Sequence, residues 1–224
     1  MSVGPIGMET VSSDTFWQRY YVGAIKGDCG LVDQPSPFAE WVHSQLEAQQ
    51  VCARESLTML EVGCGNGRDS AFFAARGIQV IATDKCEEAV KLTASKLPRS
   101  SIAQLGDVSH LPDTKVDYAY ARFVLHAITE DEQISLFKWI HDNVRRSFFV
   151  ETRSVRDPRF GKGTCVGVNA YVDTHYRRFM TMETLNRAVC AARLRLAYCV
   201  EQSSASGNDG AVVLRAEIAC DGEP

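Results

Sequence analysis

Two groups of residues in this chain have the types and spacing for chemistry. The first is a glycine cluster, Gly63-Cys64-Gly65-Asn66-Gly67, which follows the short apolar run Met59, Leu60, Val62 with Glu61 inside it. Glycines carry no Cβ and let a backbone approach a ligand closely, and a helix starting at such a turn points its first N–H groups outward. A dinucleotide-binding turn needs G-x-G-x-x-G, with the last glycine where helix meets strand. Here the third glycine comes one residue early and Arg68 holds the required position. That counts against a nicotinamide-dependent oxidoreductase. The second group lies downstream. His126, His175 and Glu151, in that order, are the candidate proton acceptors. Arg153, Arg156, Arg159, Lys162, Arg177 and Arg178 crowd one stretch, with Tyr176 among them. Guanidinium forks match carboxylate or phosphate. Arg153, Tyr176, Arg177 and Arg178 are therefore expected to hold a small anionic substrate. A solvated basic loop paired with nearby acids is the alternative. Positive neighbours should also keep His175 neutral and basic.

These residues need elements to position them. Apolar runs at 58–62, 78–83, 102–105, 116–121 and 147–151 read as strands, separated by helical patterns. Strands alternating with helices imply a parallel sheet with helices on both faces. Ser36 is placed to cap a helix that begins at Pro37 and carries Phe38, Trp41, Val42 and Leu46 on one face. A helix from Thr181 to about Arg193 follows the basic stretch, and Leu194–Gln202 and Ala211–Ala219 close the chain as an antiparallel hairpin. The expectation is an α/β fold with a doubly wound, mostly parallel seven-stranded sheet and an antiparallel C-terminal hairpin. One domain should span 1–224, with residues 1–34 as an N-terminal lid or helix segment and 153–180 as an insertion facing the substrate.

Glu61 followed by GCGNG resembles motif I of the class I S-adenosylmethionine-dependent methyltransferases. The longer string GCGNGRDS, followed by ARGIQVIATDK, is similar to the tellurite-resistance-type branch of that superfamily. The likeness runs from Glu61 to Glu151. It implies a Rossmann-like methyltransferase fold and S-adenosyl-L-methionine as cofactor. Gly63, Gly65, Asn66 and Gly67 would border the methionine and ribose, Asp84 the ribose hydroxyls, and Lys85 the adenine edge. Asp107 and the Val108 N–H would hold the adenine, Arg122 the methionine end, and Tyr21 would close over the sulfonium. His126 follows the fourth strand, where such enzymes often present a histidine. The expected reaction is methyl transfer to a small molecule carrying carboxylate or phosphate, with oxygen favoured as acceptor atom. A thiol, chalcogen or nitrogen acceptor stays open, as do, in other classes, a NAD(P)-dependent oxidoreductase and a non-catalytic cofactor-binding protein.

The 224 residues suffice for one core, and 45% hydrophobic with 23% charged residues is ordinary for a globular chain. A formal charge of −4 gives no attraction to nucleic acid or anionic membrane. Eight cysteines are scattered without C-x-x-C pairs, so no metal is expected. Neither a membrane-length apolar run nor a signal pattern is visible, and a cytoplasmic monomer or homodimer is the expectation.

Overall fold

The computed structural model describes residues 13–25, 31–48, 57–203 and 210–220. Cys29, Cys52, residues 1–12 of the expected N-terminal segment and the centre of the hairpin loop lie outside these residues. Helix α1 (Ser13–Ile25) and helix α2 (Pro37–Ala48) precede the sheet. Next come β1 (Thr58–Val62), α3 (Arg68–Ala74), β2 (Gln79–Asp84), α4 (Glu87–Ala94), β3 (Ile102–Leu105), β4 (Val116–Arg122), α5 (Glu130–Asn143) and β5 (Val144–Arg153). The chain continues with β6 (Thr164–Gly167), β7 (Ala170–Val172), β8 (Tyr176–Arg178), α6 (Met182–Ala191), β9 (Arg195–Ser203) and β10 (Val212–Ala219).

Seven strands form one sheet in the order β3-β2-β1-β4-β5-β10-β9. The first five are mutually parallel, and β10 runs antiparallel to both β5 and β9. The order reverses at β1, where β2 lies on one side and β4 on the other. Ligands of open α/β sheets bind at such a switch point, beyond the carboxyl ends of the strands.

Each central strand is buried on both faces, and alternate residues feed two separate cores. Leu60, Leu125, Phe137, Ile140, Phe148, Leu185 and Leu214 pack on the α5–α6 side. Met59, Phe38, Val42, Leu46, Phe73, Tyr120 and Phe149 pack on the α2–α3 side. The neighbours Phe148 and Phe149 thus face opposite layers, as a period of two demands. Ser36 does cap α2: its Oγ accepts from the Ala39 N–H at 3.0 Å. Thr129 and Glu132 form a capping box at the start of α5.

The structure departs from expectation in two places. The stretch after Arg153 is not a long loop, because β6, β7 and β8 form their own antiparallel meander. Helix α5 passes into β5 at Val144 with no intervening turn, which moves the strand start ahead of Ser147.

Candidate functional site

The carboxyl ends of β1, β2 and β4 and the residues after β3 open into one cavity of about 380 Å³. Its floor is the glycine turn after β1. Gly63 (φ 71°) and Gly65 (φ 59°) occupy the left-handed region, and a Cβ on either would lie 2.6 Å from Val124 Cγ2 or from Tyr21 Oη. Backbone alone fits there. Asp84, at the end of β2, fastens this turn: Oδ2 accepts from the Gly65 N–H at 3.0 Å and Oδ1 from the Cys86 N–H at 2.9 Å. Burial raises the Asp84 pKa against those hydrogen bonds. Asn66 donates to the Val32 carbonyl at 2.9 Å, and Lys85, Asp107 and Val108 continue the wall. Asp107 Oδ1 accepts from the Ser109 N–H at 2.7 Å. Trp17, Tyr20 and Tyr21 of α1, with Leu31 and Val32, complete the enclosure. Nine of the ten expected cofactor residues therefore border one space. Gly67 does not. Its Cβ would lie 2.7 Å from the Thr93 Cα, so this glycine serves the contact between α3 and α4.

Beneath the turn lies an acidic network. Glu61 is buried and accepts from the Ser70 hydroxyl; burial, then Asp69, pushes its pKa well up. Asp69 is also buried. It accepts from the Ser36 N–H at 2.7 Å, the Ser36 hydroxyl at 2.8 Å and the Tyr120 hydroxyl at 2.7 Å. One carboxylate thus ties the N-terminus of α2 and the middle of β4 to the first turn of α3. Its neighbour Arg68 lies on the cavity wall.

The β4 side differs from expectation. Glu151 is fully buried and held by two guanidiniums, Arg122 Nε at 3.0 Å and Arg215 Nε at 2.6 Å. It does not border the cavity, and Arg153 pairs with Asp157 at 2.7 Å. His126 is buried with its edge against the Phe123 ring, centroids 5.4 Å apart, and its Nδ1 has no hydrogen-bond partner among the described residues. Burial, then Arg153 and Arg177, drives its pKa well below the usual histidine value. Phe123 lines the cavity and His126 does not. His175 stacks on Phe16 of α1 with centroids 4.1 Å apart. Burial, then Arg177, lowers its pKa to about 4. It is neutral at pH 7, as its neighbours foretold, yet it too lies off the cavity wall.

None of Arg153, Tyr176, Arg177 and Arg178 borders the cavity. Arg177 pairs with Asp173, and Arg178 donates to Gln133 and lines a separate hollow between α5 and α6. Carboxylates and amides of the fold occupy the forks that were expected to meet substrate. Sequence reasoning also missed Trp17, Phe123 and Glu132 on the wall. Trp17 stood in the same aromatic run as Tyr21. For Phe123 no signal existed, since its positive φ (58°) is invisible in the sequence.

Residues 59–147 match the family model described as methyltransferase domain. No curated protein matches the chain. Among solved structures, the 1,6-didemethyltoxoflavin-N1-methyltransferase of Burkholderia thailandensis, with bound 1,6-didemethyltoxoflavin and S-adenosylhomocysteine, shares the fold at TM-score 0.68 and 18% identity, over 98% of this chain and 94% of that one. The CcbJ methyltransferase of Streptomyces caelestis aligns at TM-score 0.69 and 15% identity, over 94% and 100%. The magnesium protoporphyrin IX methyltransferase of Synechocystis, with bound S-adenosylhomocysteine, aligns at TM-score 0.62 and 13% identity, over 97% and 90%. This chain has the Rossmann-like methyltransferase fold.

Proposed function

We infer that this chain is an S-adenosylmethionine-dependent methyltransferase of the class I superfamily, acting on a small molecule. One observation carries the reading: four strand ends, bearing a Cβ-free turn and two carboxylates, converge on a single cavity at the point where the sheet order reverses. The donor set suits the cofactor. Asp84 takes the ribose hydroxyls, Asp107 and the Val108 N–H take the adenine edge, and Gly63, Gly65 and Asn66 border the ribose and methionine. Arg122 stands at the methionine end, and Tyr21 closes over the glycine turn. When bound, S-adenosylmethionine would supply an electrophilic methyl carbon to the acceptor's lone pair, with the C–S electron pair left on sulfur, and a proton carried by the acceptor would pass to the Glu132 carboxylate on the wall.

The protein's task is alignment and exclusion of water. Helix α1 supplies the cover, and the sheet supplies a rigid floor. His126, His175 and Glu151 do not border the cavity, whereas the Glu132 carboxylate does, so the nucleophile suited to this wall is one whose proton a carboxylate readily accepts. An acidic hydroxyl satisfies that condition, and oxygen is the acceptor atom we propose.

Calorimetric titration tests the reading. S-adenosylmethionine and S-adenosylhomocysteine should bind and NADH should not. Asp84→Asn should weaken the adenosyl ligands about tenfold or more, because a charge-assisted pair to the ribose is lost. A chain that ignores both adenosyl ligands is not this enzyme.

A further inference from the structure

We propose that the methyl acceptor is a flat, π-rich ring without carboxylate or phosphate, held among Trp17, Tyr20 and Phe123. This rests on the methyltransferase reading. In the sheet order, the adenosine-binding carboxylates Asp84 and Asp107 lie on the β2–β3 side of β1. The acceptor therefore enters on the other side, between β4 and α1. The wall there consists of Trp17, Tyr20, Phe123, Val124, Ala127 and Ile128, with the Arg122 guanidinium and the Glu132 carboxylate.

Phe123 is the centre of this wall. A side-chain-bearing residue at φ 58° persists only where its surroundings over-determine it. Here the Phe123 N–H donates to the Glu151 carbonyl at 2.8 Å, and the same Glu151 holds Arg122 through its side chain. The Arg122 guanidinium lies over the Phe123 ring at 4.4 Å from the centroid and that of Arg153 at 5.3 Å. Cations over a ring draw in its π density. The part of Phe123 that reaches the cavity is then electropositive for a benzene ring, and it pairs best with a ring that is electron-rich. Trp17 and Tyr20, edge to face at 5.8 Å, extend the aromatic surface across α1.

An anion finds no comparable welcome. Among the described residues that β4 and α1 contribute to this wall the cation is Arg122, and its Nε already serves Glu151; the cavity's other cations, Arg68 and Lys85, follow the glycine turn and Asp84 in the chain. Arg153 and Arg177 behind it serve Asp157 and Asp173. The Glu132 carboxylate on the same wall repels negative charge.

The test is a calorimetric series on protein saturated with S-adenosylhomocysteine, using naphthol, hydroxynaphthoate, naphthyl phosphate and the saturated alcohol decalol as probes. Naphthol should bind about tenfold more tightly than each of the other three. Trp17→Ala and Phe123→Leu should each reduce naphthol affinity several-fold while S-adenosylhomocysteine affinity and thermal midpoint stay near the parent's. Phe123→Leu keeps apolar bulk and removes only the ring, so a folded variant is available for the comparison. Preference for either anionic probe, parity of decalol with naphthol, or no naphthol binding would overturn the proposal. If S-adenosylhomocysteine itself fails to bind, the methyltransferase reading falls and this one with it. If it binds and the ring preference is missing, only the acceptor assignment is lost.

Discussion

At the scale of single residues, the site depends on charges that the fold has already spent on itself. Glu151 shows this most clearly. A fully buried carboxylate between two guanidiniums is a structural centre, not a proton shuttle: Arg122 and Arg215 have side-chain exposures of 13% and 10%, and each gives it an Nε–H. Replacing Glu151 with Gln keeps the shape and removes the charge, leaving two nearly buried cations without their counter-ion. Loss of one member of such a group costs about 3–5 kcal/mol. Urea unfolding should therefore show Glu151→Gln as strongly destabilised, with S-adenosylhomocysteine affinity weakened only through the misplaced Arg122. A variant of parental stability would mean that the triad contributes nothing to the fold. Asp69 is a similar case. An acid in a first helical turn is favoured whatever else it touches, so its position alone marks nothing unusual. Its actual partners, Ser36 and Tyr120, stand 33 and 51 residues away in the chain and could not be read from local pattern.

At the scale of elements, the glycine turn divides its labour. Gly63 and Gly65 border the cavity, while Gly67 lets α3 and α4 approach. A paired substitution separates conformational strain from steric conflict. Gly77 has φ 82° with nothing within 4 Å of its Cβ position, so Gly77→Ala should cost only the left-handed conformation, about 1–2 kcal/mol. Gly67→Ala adds a Cβ 2.7 Å from backbone at Thr93, and overpacking of that kind adds about 1–3 kcal/mol more. Thermal denaturation should rank the two in that order; equal losses would show that α3 can shift freely away from α4. The same elements mark what the sequence could disclose. Strand ends carrying Gly63, Asp84 and Asp107 were legible because short apolar runs stop abruptly at turn residues. The β6–β8 meander was not, because three- and four-residue strands rich in glycine and arginine carry too little alternation to stand out. The start of β5 was hidden for another reason: α5 runs straight into it with no punctuating glycine or proline.

At the scale of the whole molecule, α1 and the meander are joined over the site by the contact of Phe16 with His175, and that joint responds to pH. His175 titrates at about 4 in the folded chain because burial and Arg177 disfavour its cation, whereas an unfolded chain protonates it near 6.5. Between those values the unfolded state binds the extra proton. The contribution of His175 is therefore fully present above about pH 6.5 and is lost as pH falls toward 4, with a slope of at most about 1.4 kcal/mol per pH unit. His126, whose pKa is also lowered, adds a slope of the same sign. Glu61 acts oppositely, since its raised pKa lets the folded state take up protons first. The net pH profile of the parent thus mixes signs, and a comparison isolates the histidine. His175→Phe keeps a ring against Phe16 and cannot be protonated, so its urea midpoint should fall less than the parent's between about pH 7 and pH 4.5. Below the folded pKa the two curves should run parallel. Identical profiles throughout would show that His175 ionises as easily in the folded chain as in water, and that α1 is not held over the cavity by a neutral imidazole.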